Sequence, residues 1–305
     1  MTTTPQQTTS KVFMVKPVNF KYNTQTAGTN TFMNKDYKGQ VPQPIALKET
    51  NDYVSLLEKN LIKVVLVEDT KEPETPDSVF PNNWFSTHED GILVLYPMCA
   101  KNRREERKEV FLDAIKKNIK FKKLIDLTSW EQKNKFLEGT GSMVLDRVNK
   151  VVYACRSPRT CEEVLDDFCQ KLGYKKVVFD AKDEKGEMIY HTNVVLCVAE
   201  NFAVVCLDAI KDEQQKTAIL DSFKKTNKKV IKITFDQVKN YAGNLLEVKN
   251  EKNEKFLVMS EAAFKSFTQE QKNEFEKDCK ILHPNIECIE TIGGGSARCM
   301  LAELY

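Results

Sequence analysis

Three consecutive glycines, Gly293–Gly295, lead into a cysteine, Cys299, near the end of the sequence. The chain has only 11 glycines in 305 residues, so a run of three marks a local requirement. Glycine lets backbone pass close to a ligand and adopt dihedral angles closed to other residues. A thiol becomes a nucleophile when a cation or backbone amides favour its anion, and Arg298 lies next to this one. The pattern favours a catalytic cysteine; the alternative is a buried cysteine in a terminal strand.

A histidine and a glutamate could complete such a site. His191 comes just before the apolar stretch 194–198, and a histidine at a strand edge can act as general acid and base near neutral pH. Glu138 lies between an apolar pair and the glycines at 139 and 141, an unusual position for a solvated charge. The alternatives are a structural histidine and an exposed turn glutamate.

Polar and cationic residues elsewhere could bind a substrate. Asp77, Asn82, Asn83 and Trp84 share a short loop that offers amide groups and an aromatic wall, as small-molecule pockets do, although Pro-Asn-Asn also favours a plain turn. Arginine binds a carboxylate through two parallel hydrogen bonds, so an arginine pair could hold the acid end of an amino acid. The candidates are Arg103 with Arg104 and Arg156 with Arg159, unless they are solvated surface groups.

Composition excludes several other classes of protein. Lys plus Arg is 46 and Asp plus Glu is 44, so the net charge of +2 offers no basic footprint for nucleic acid. No apolar run approaches the length of a membrane span, and the first residues lack the pattern of a signal peptide. The sequence does not indicate an oligomeric state. We expect a disordered segment over residues 1–10 and a single domain over 11–305.

The nine cysteines mostly lie in apolar surroundings, as in the stretch 195–198, and none forms a CxxC pair. Buried free cysteines of this kind are typical of a reducing compartment, so we expect a cytoplasmic protein. With only three histidines and without the usual ligand spacing, the sequence predicts no metal site. No cofactor is expected.

Strand-like and helix-like segments alternate along the chain. Helices are predicted over 51–59, 104–119, 160–172, 213–225 and 260–279, and apolar strands lie between them. Thr160 with Glu163 fits a capping box. Helix-bearing units therefore recur about every 55 residues, which favours an architecture of roughly five units, with a plain mixed α/β sheet as the alternative.

Taken together, these segments resemble the amidinotransferase-like proteins of the guanidino-group-modifying superfamily, which includes arginine deiminase, dimethylarginine hydrolase and glycine amidinotransferase. The closest resemblance is to the branch of amidinotransferases and citrulline-utilisation hydrolases, and it spans nearly the whole chain. The segments that carry it occur in the same order: 77–84, 96–98 with 102–104, 137–145, 154–160, 191–193, 243–244 and 292–301.

The resemblance implies an α/β pentein fold, with five strand–helix modules around a central pocket. It also implies a catalytic set that falls on Cys299, His191 and Glu138, without a metal. Asp77 matches a position that lines the pocket. Arg159 and Arg103 match positions that grip the substrate carboxylate.

One departure concerns the substrate. Positions that are acidic in deiminases or dimethylarginine hydrolases are Asn82, Asn83 and Asn193 here. A buried guanidinium calls for anionic partners, whereas a neutral ureido group does not. We therefore expect a hydrolase of a guanidino or ureido amino acid that works through an S-linked intermediate, shifted toward ureido substrates such as citrulline. The alternatives are an amidinotransferase and, from another class, a non-catalytic binding protein of the same fold.

Overall fold

The computed structural model describes residues 5–305, and in this range the strands form five three-stranded sheets. In every sheet the central strand pairs antiparallel with one neighbour and parallel with the other. Four sheets are made of consecutive strands: β3 (Phe85–His88), β4 (Ile92–Leu95) and β5 (Lys123–Asp126); β6 (Val144–Asp146), β7 (Val151–Cys155) and β8 (Lys175–Phe179); β9 (Leu196–Val198), β10 (Phe202–Val205) and β11 (Lys229–Lys232); β12 (Leu246–Lys249), β13 (Lys255–Val258) and β14 (Lys280–Leu282).

The fifth sheet joins the two ends of the described chain. Its central strand β1 (Lys11–Lys16) pairs in parallel with β2 (Lys63–Glu68) and antiparallel with β15 (Ala302–Glu303). Each parallel pair needs a crossover connection, and a helix provides it in every module. This closure makes the fifth module equivalent to the other four, although its strands come from opposite ends of the sequence.

The helices cover the outer strands or form short turns between modules. Their bounds are α1 (Thr24–Ala27), α2 (Pro42–Lys59), α3 (Lys101–Arg104), α4 (Glu109–Asn118), α5 (Gly139–Ser142), α6 (Glu162–Leu172), α7 (Glu213–Lys225), α8 (Phe235–Lys239), α9 (Glu261–Ser266), α10 (Gln269–Glu276) and α11 (Glu287–Gly293). The five-unit expectation and the pentein fold are confirmed by this arrangement.

Local chemistry explains where the helices differ from expectation. The helix expected over 260–279 is two helices, because Thr268 and Gln271 form a capping box that starts α10 after a break. In α6 the N-cap is Cys161 and not Thr160, so the capping box expected there is wrong. The end of α6 is as expected, since Gly173 adopts the left-handed conformation with φ 73°.

Residues 7–9, part of the segment expected to be disordered over 1–10, pack against the rest of the chain in the structure. Gln7, Thr8 and Thr9 are buried, and the Gln7 side chain donates to the backbone oxygens of Leu145 (2.9 Å) and Val198 (3.2 Å). These two acceptors belong to neighbouring modules, so the segment bridges them and is held by packing that composition does not reveal. Residues 1–4 lie outside the described residues.

Over residues 5–305, no helix is both long enough and apolar enough to cross a membrane.

Candidate active site

One buried cavity collects chemically active residues from four of the five modules. It has a volume of about 20 Å³. Some come from the segment just before the first strand of a module, and the others come from the crossover between the central strand and its parallel partner. The lining side chains used below are Thr26, Asp77, Asn83, Arg103, Arg159, Tyr190, His191 and Cys299.

Cys299 lies in the turn before β15, with its backbone N–H donating to Ser296 O at 2.9 Å. The side chain is only 6 % exposed but faces the cavity. Two side-chain amides contact its sulfur: Asn193 Nδ2 at 3.5 Å and Asn244 Nδ2 at 3.2 Å. The structure therefore surrounds the sulfur with neutral donors.

The glycine run has a packing reason besides its place in the cavity wall. A Cβ atom at Gly293 or Gly295 would come within 2.8 Å of the Phe80 ring, and Gly294 adopts a left-handed φ of 64°. Arg298, expected to add positive charge near the thiol, directs its guanidinium to Leu301 O (2.9 Å) and Glu303 (2.8 Å) instead. Its charge is therefore neutralised away from the sulfur.

His191 and Glu138 form a direct pair. His191 Nε2 lies 2.9 Å from Glu138 Oε2, and both residues are buried. Burial raises the pKa of Glu138, but Arg159 and the bond to His191 outweigh it, so that the net pKa falls to about 2. Because the ionised carboxylate only accepts, Nε2 carries the hydrogen and Nδ1 holds the basic lone pair.

The same pairing sets the charge of the histidine. Burial lowers the pKa of His191 to about 4, although Glu138 opposes this shift. His191 is therefore neutral at pH 7, with Nδ1 free to take a proton. Gly141 leaves room beside this atom, because a Cβ there would lie 2.7 Å from His191 Nδ1. The pair is thus suited to moving a proton at Nδ1.

Asp77 also lines the cavity. Its Oδ2 accepts from Asn23 Nδ2 (2.8 Å) and Thr26 Oγ1 (3.1 Å), while its Oδ1 has no partner. Burial raises the pKa of Asp77, and the nearby Arg103 opposes that shift. An unpaired buried acceptor is costly, so a ligand N–H at Oδ1 would be stabilising.

The three asparagines divide between two surroundings. Asn83 lines the cavity, and Asn193 contacts the sulfur, whereas Asn82 bonds Thr140 Oγ1 at 3.3 Å and lies behind the cavity wall. Asn83 Oδ1 accepts from Arg103 Nη1 at 2.7 Å, which fixes the amide orientation because an arginine can only donate. Asn83 Nδ2 is therefore a buried donor, and it has no partner.

The two arginines expected to grip a carboxylate differ in availability. Arg103 is bonded to Glu106 Oε1 (2.8 Å), Glu106 Oε2 (3.0 Å) and Phe80 O (3.0 Å) as well as to Asn83. Its donors are thus occupied within the protein, which makes it a support for the cavity wall.

Arg159 is held by the segment that contains α1. It donates to Thr26 O (2.8 Å) and Thr29 Oγ1 (2.6 Å), and its Nη1 is 3.5 Å from Glu138 Oε2. The Nη1 atom makes only this longer contact and faces the cavity side. Arg159 is the arginine of the two that could turn to a substrate carboxylate.

The sequence profile of the eukaryotic N,N-dimethylarginine dimethylhydrolases matches residues 16–305. The chain belongs to this family. Membership makes it an enzyme that cleaves a non-peptide C–N bond with a catalytic cysteine, and it confirms the superfamily named from the sequence.

Solved structures agree on the fold. The N-terminal domain of ArgZ, described as an arginine dihydrolase from the ornithine–ammonia cycle in Cyanobacteria, has a TM-score of 0.74 at 18% identity, covering 96% of this chain and 98% of that one. Unliganded AgrE has a TM-score of 0.75 at 18% identity, covering 97% of this chain but 39% of AgrE. The dimethylarginine hydrolase of Pseudomonas aeruginosa, a Cys-to-Ser variant with citrulline, has 0.68 at 16% identity, covering 97% and 99%. No curated protein matches.

Several residues of the site were missed from the sequence. Asn244 contacts the sulfur, Asn23 and Thr26 hold Asp77, and Glu106 neutralises Arg103. Asn244 had two available signals. It belongs to segment 243–244, which is part of the family resemblance but received no role, and an asparagine also precedes the first strand of two other modules, at 83 and 193. Asn23 and Thr26 act on Asp77 from a distant part of the chain and leave no local pattern, whereas Glu106 lies only three residues after Arg103.

Proposed function

We propose that this enzyme hydrolyses a guanidino or ureido amino acid through a covalent intermediate on Cys299, in one catalytic domain spanning residues 11–305. The observation that carries the proposal is the shared cavity: Cys299 and His191 line it together, with Glu138 holding the far nitrogen of the histidine. Splitting a difficult substitution into two steps is the general advantage of a cysteine nucleophile.

In the first step the sulfur attacks the central carbon of the substrate group. The C–S bond forms while the thiol proton passes to His191 Nδ1, and Glu138 stabilises the resulting imidazolium through Nε2. The bond from the carbon to the leaving nitrogen then breaks, and this nitrogen takes the proton from His191.

In the second step His191, again neutral, removes a proton from water. The water oxygen bonds to the carbon, the C–S bond breaks, and the sulfur recovers its proton through the histidine. The net reaction consumes one water and releases an amine or ammonia, without a metal or cofactor.

Substrate recognition uses two charged groups that line the cavity. Asp77 Oδ1 accepts an N–H of the substrate group, and Arg159 binds the carboxylate of the amino acid. A volume of about 20 Å³ holds roughly one water, so the cavity must widen for an amino acid to enter. Arg159 must also exchange its bonds to Thr26 and Thr29 for the substrate carboxylate.

Between the two substrate classes, Asn83 favours the ureido group. Its Nδ2 is a buried donor without a partner, and a guanidinium has no acceptor to offer it. A ureido oxygen accepts from Nδ2, while the ureido N–H groups still reach Asp77. We therefore expect the enzyme to prefer citrulline-type substrates over arginine-type substrates.

The direct test is a side-by-side assay of citrulline, arginine and N,N-dimethylarginine at equal concentrations, following the release of ammonia or dimethylamine. We expect the fastest turnover with citrulline; faster release from arginine or dimethylarginine would overturn the ureido preference and leave the hydrolase assignment intact. Adding glycine or another amine tests the transferase alternative, since only a transferase forms a new amidino product with the acceptor.

A further inference from the structure

A second side chain, on a module with no assigned role so far, touches the reacting sulfur. Asn244 lies in the turn before β12, is 2 % exposed, and places Nδ2 3.2 Å from Cys299 Sγ. The same nitrogen lies 3.3 Å from Asn193 O. The nitrogen is thus shared between a carbonyl and the sulfur.

The orientation of this amide is fixed by the chain that carries the cysteine. The backbone N–H of Arg298 donates to Asn244 Oδ1 at 3.0 Å, so the oxygen must face Arg298 and the nitrogen must face the sulfur. Residues 298 and 299 are therefore both bonded to one side chain. Any shift of this turn would break two contacts at once.

Other charged and titratable groups around the sulfur do not supply a comparable contact. Arg298 is neutralised by Glu303, and no hydrogen bond to the sulfur comes from the remaining groups of the described chain. The other charged and titratable groups that face the sulfur, across the cavity or from packed elements, are Asp77, Arg103, Glu138, Arg159, His191 and the hydroxyls of Tyr53, Tyr190 and Tyr241.

We propose that Asn244 is a catalytic residue that donates to the Cys299 sulfur and stabilises its thiolate. The role rests on the proposed function, in which Cys299 is the nucleophile. The donor is neutral, so it favours the thiolate without forming an ion pair that would hold the sulfur back from the substrate. Asn193, at 3.5 Å, makes a weaker contact of the same kind.

The experiment measures the thiolate directly, without substrate. Iodoacetamide alkylation of Cys299 is followed by mass spectrometry from pH 5 to pH 10 in the wild type, Asn244→Asp and Asn244→Ala. A hydrogen bond to a charged group is worth roughly 1 to 2 pH units of such a midpoint, so Asn244→Ala should move the alkylation midpoint upward by about that amount. Asn244→Asp, which keeps the acceptor for Arg298 but puts a carboxylate against the sulfur, should move it further.

Asn240→Asp is the matched control, because it adds the same charge four residues away on an exposed side chain whose Nδ2 bonds only Asp236 O. Its midpoint should equal that of the wild type. Circular dichroism verifies that each variant is folded, and Asn244→Ser replaces any variant that is not. Unchanged midpoints in the folded Asn244 variants overturn the proposal.

This outcome is separable from failure of the proposed function. If Asn244 has no role, the wild type still turns over substrate and Cys299→Ser still does not. If the nucleophile assignment itself is wrong, Cys299→Ser retains turnover whatever the alkylation profiles show.

Discussion

Two buried polar clusters lie close together in this protein and differ in how completely they are paired. In the first, Arg147 and Arg298 both bond Glu303, at 3.2 Å and 2.8 Å. Arg147 also donates to Thr87 O at 3.1 Å, and its guanidinium stacks 4.3 Å from the Tyr305 ring. Among the described residues, the buried polar side-chain atoms that lack a partner include none from this cluster.

The second cluster is the cavity around Cys299, where two acceptors and one donor lack partners. Asp77 Oδ1, Asn83 Nδ2 and Asn193 Oδ1 are buried and unpaired. An unsatisfied buried group costs about 1–3 kcal/mol, which a bound ligand can offset by pairing it. Under the proposed function we therefore expect the complete cluster to support the fold and the substrate to pair the atoms left over in the cavity.

The largest expected effect tests the incomplete cluster. Cys299→Ser should lower turnover at least about 10³-fold, because a hydroxyl is a far weaker nucleophile in this neutral surrounding, while the unfolding midpoint stays near that of the wild type. Product release and urea unfolding are the two measurements. Cys169→Ser, a half-buried cysteine on α6, is the control and should keep full activity. Appreciable turnover by Cys299→Ser would refute the assignment.

The complete cluster should respond in stability instead. Glu303→Gln leaves two buried guanidinium groups without their anion, and such a loss costs about 3–5 kcal/mol of unfolding free energy. Glu68→Gln, which breaks the exposed pair with Lys16 (2.6 Å), should cost under about 1 kcal/mol. Urea titrations compare the two. Equal losses of unfolding free energy in the two variants would contradict a larger contribution of the buried cluster to stability.

The Glu138 carboxylate should affect both the rate of proton transfer by His191 and the pH dependence of that rate. Glu138→Gln should lower kcat about 10²–10³-fold, because the imidazolium formed in the reaction loses its anionic partner. Since Glu138 raises the pKa of His191, which stands at about 4, its removal lowers that pKa further. The acid limb of kcat/KM, expected near pH 4 in the wild type, should therefore move to lower pH.

The control for that profile is Glu163→Gln, an exposed glutamate of α6, which should leave both the rate and the acid limb unchanged. A shift of the limb toward higher pH in Glu138→Gln would contradict the pairing of Glu138 with His191.

The smallest expected effect concerns selectivity at the unpaired donor. Asn83→Asp replaces Nδ2 by a carboxylate oxygen next to Arg103, so a ureido oxygen loses its donor and a guanidinium gains an anion. The ratio of kcat/KM for citrulline to that for arginine should fall about 10- to 100-fold. Asn82→Asp adds the same charge behind the cavity wall and should change the ratio less. An unchanged ratio in both variants would show that Asn83 Nδ2 does not discriminate between ureido and guanidino substrates.

Much of the architecture could be predicted from the sequence, because repeated elements leave a local record. The recurrence of helices indicated five units, and α7 was predicted with the bounds 213–225 that it has. The break between α9 and α10 was missed, since the capping box at Thr268 competes with an otherwise continuous helical pattern. Packing of residues 7–10 was missed because it depends on acceptors in distant modules.

The sequence by itself determined the chemical types available to the site: one cysteine after a glycine run, few histidines, and asparagines at 82, 83 and 193. Only the tertiary structure decided which of them work together. It paired Arg103 with Glu106, turned Arg298 away from the sulfur and brought Asn244 to it. The contact of Asn244 with Cys299 depends on which turns meet when the modules pack together, and residues so far apart in the chain carry no local sign of that meeting. The other two pairs, Arg103 with Glu106 and Arg298 with Glu303, are close in sequence.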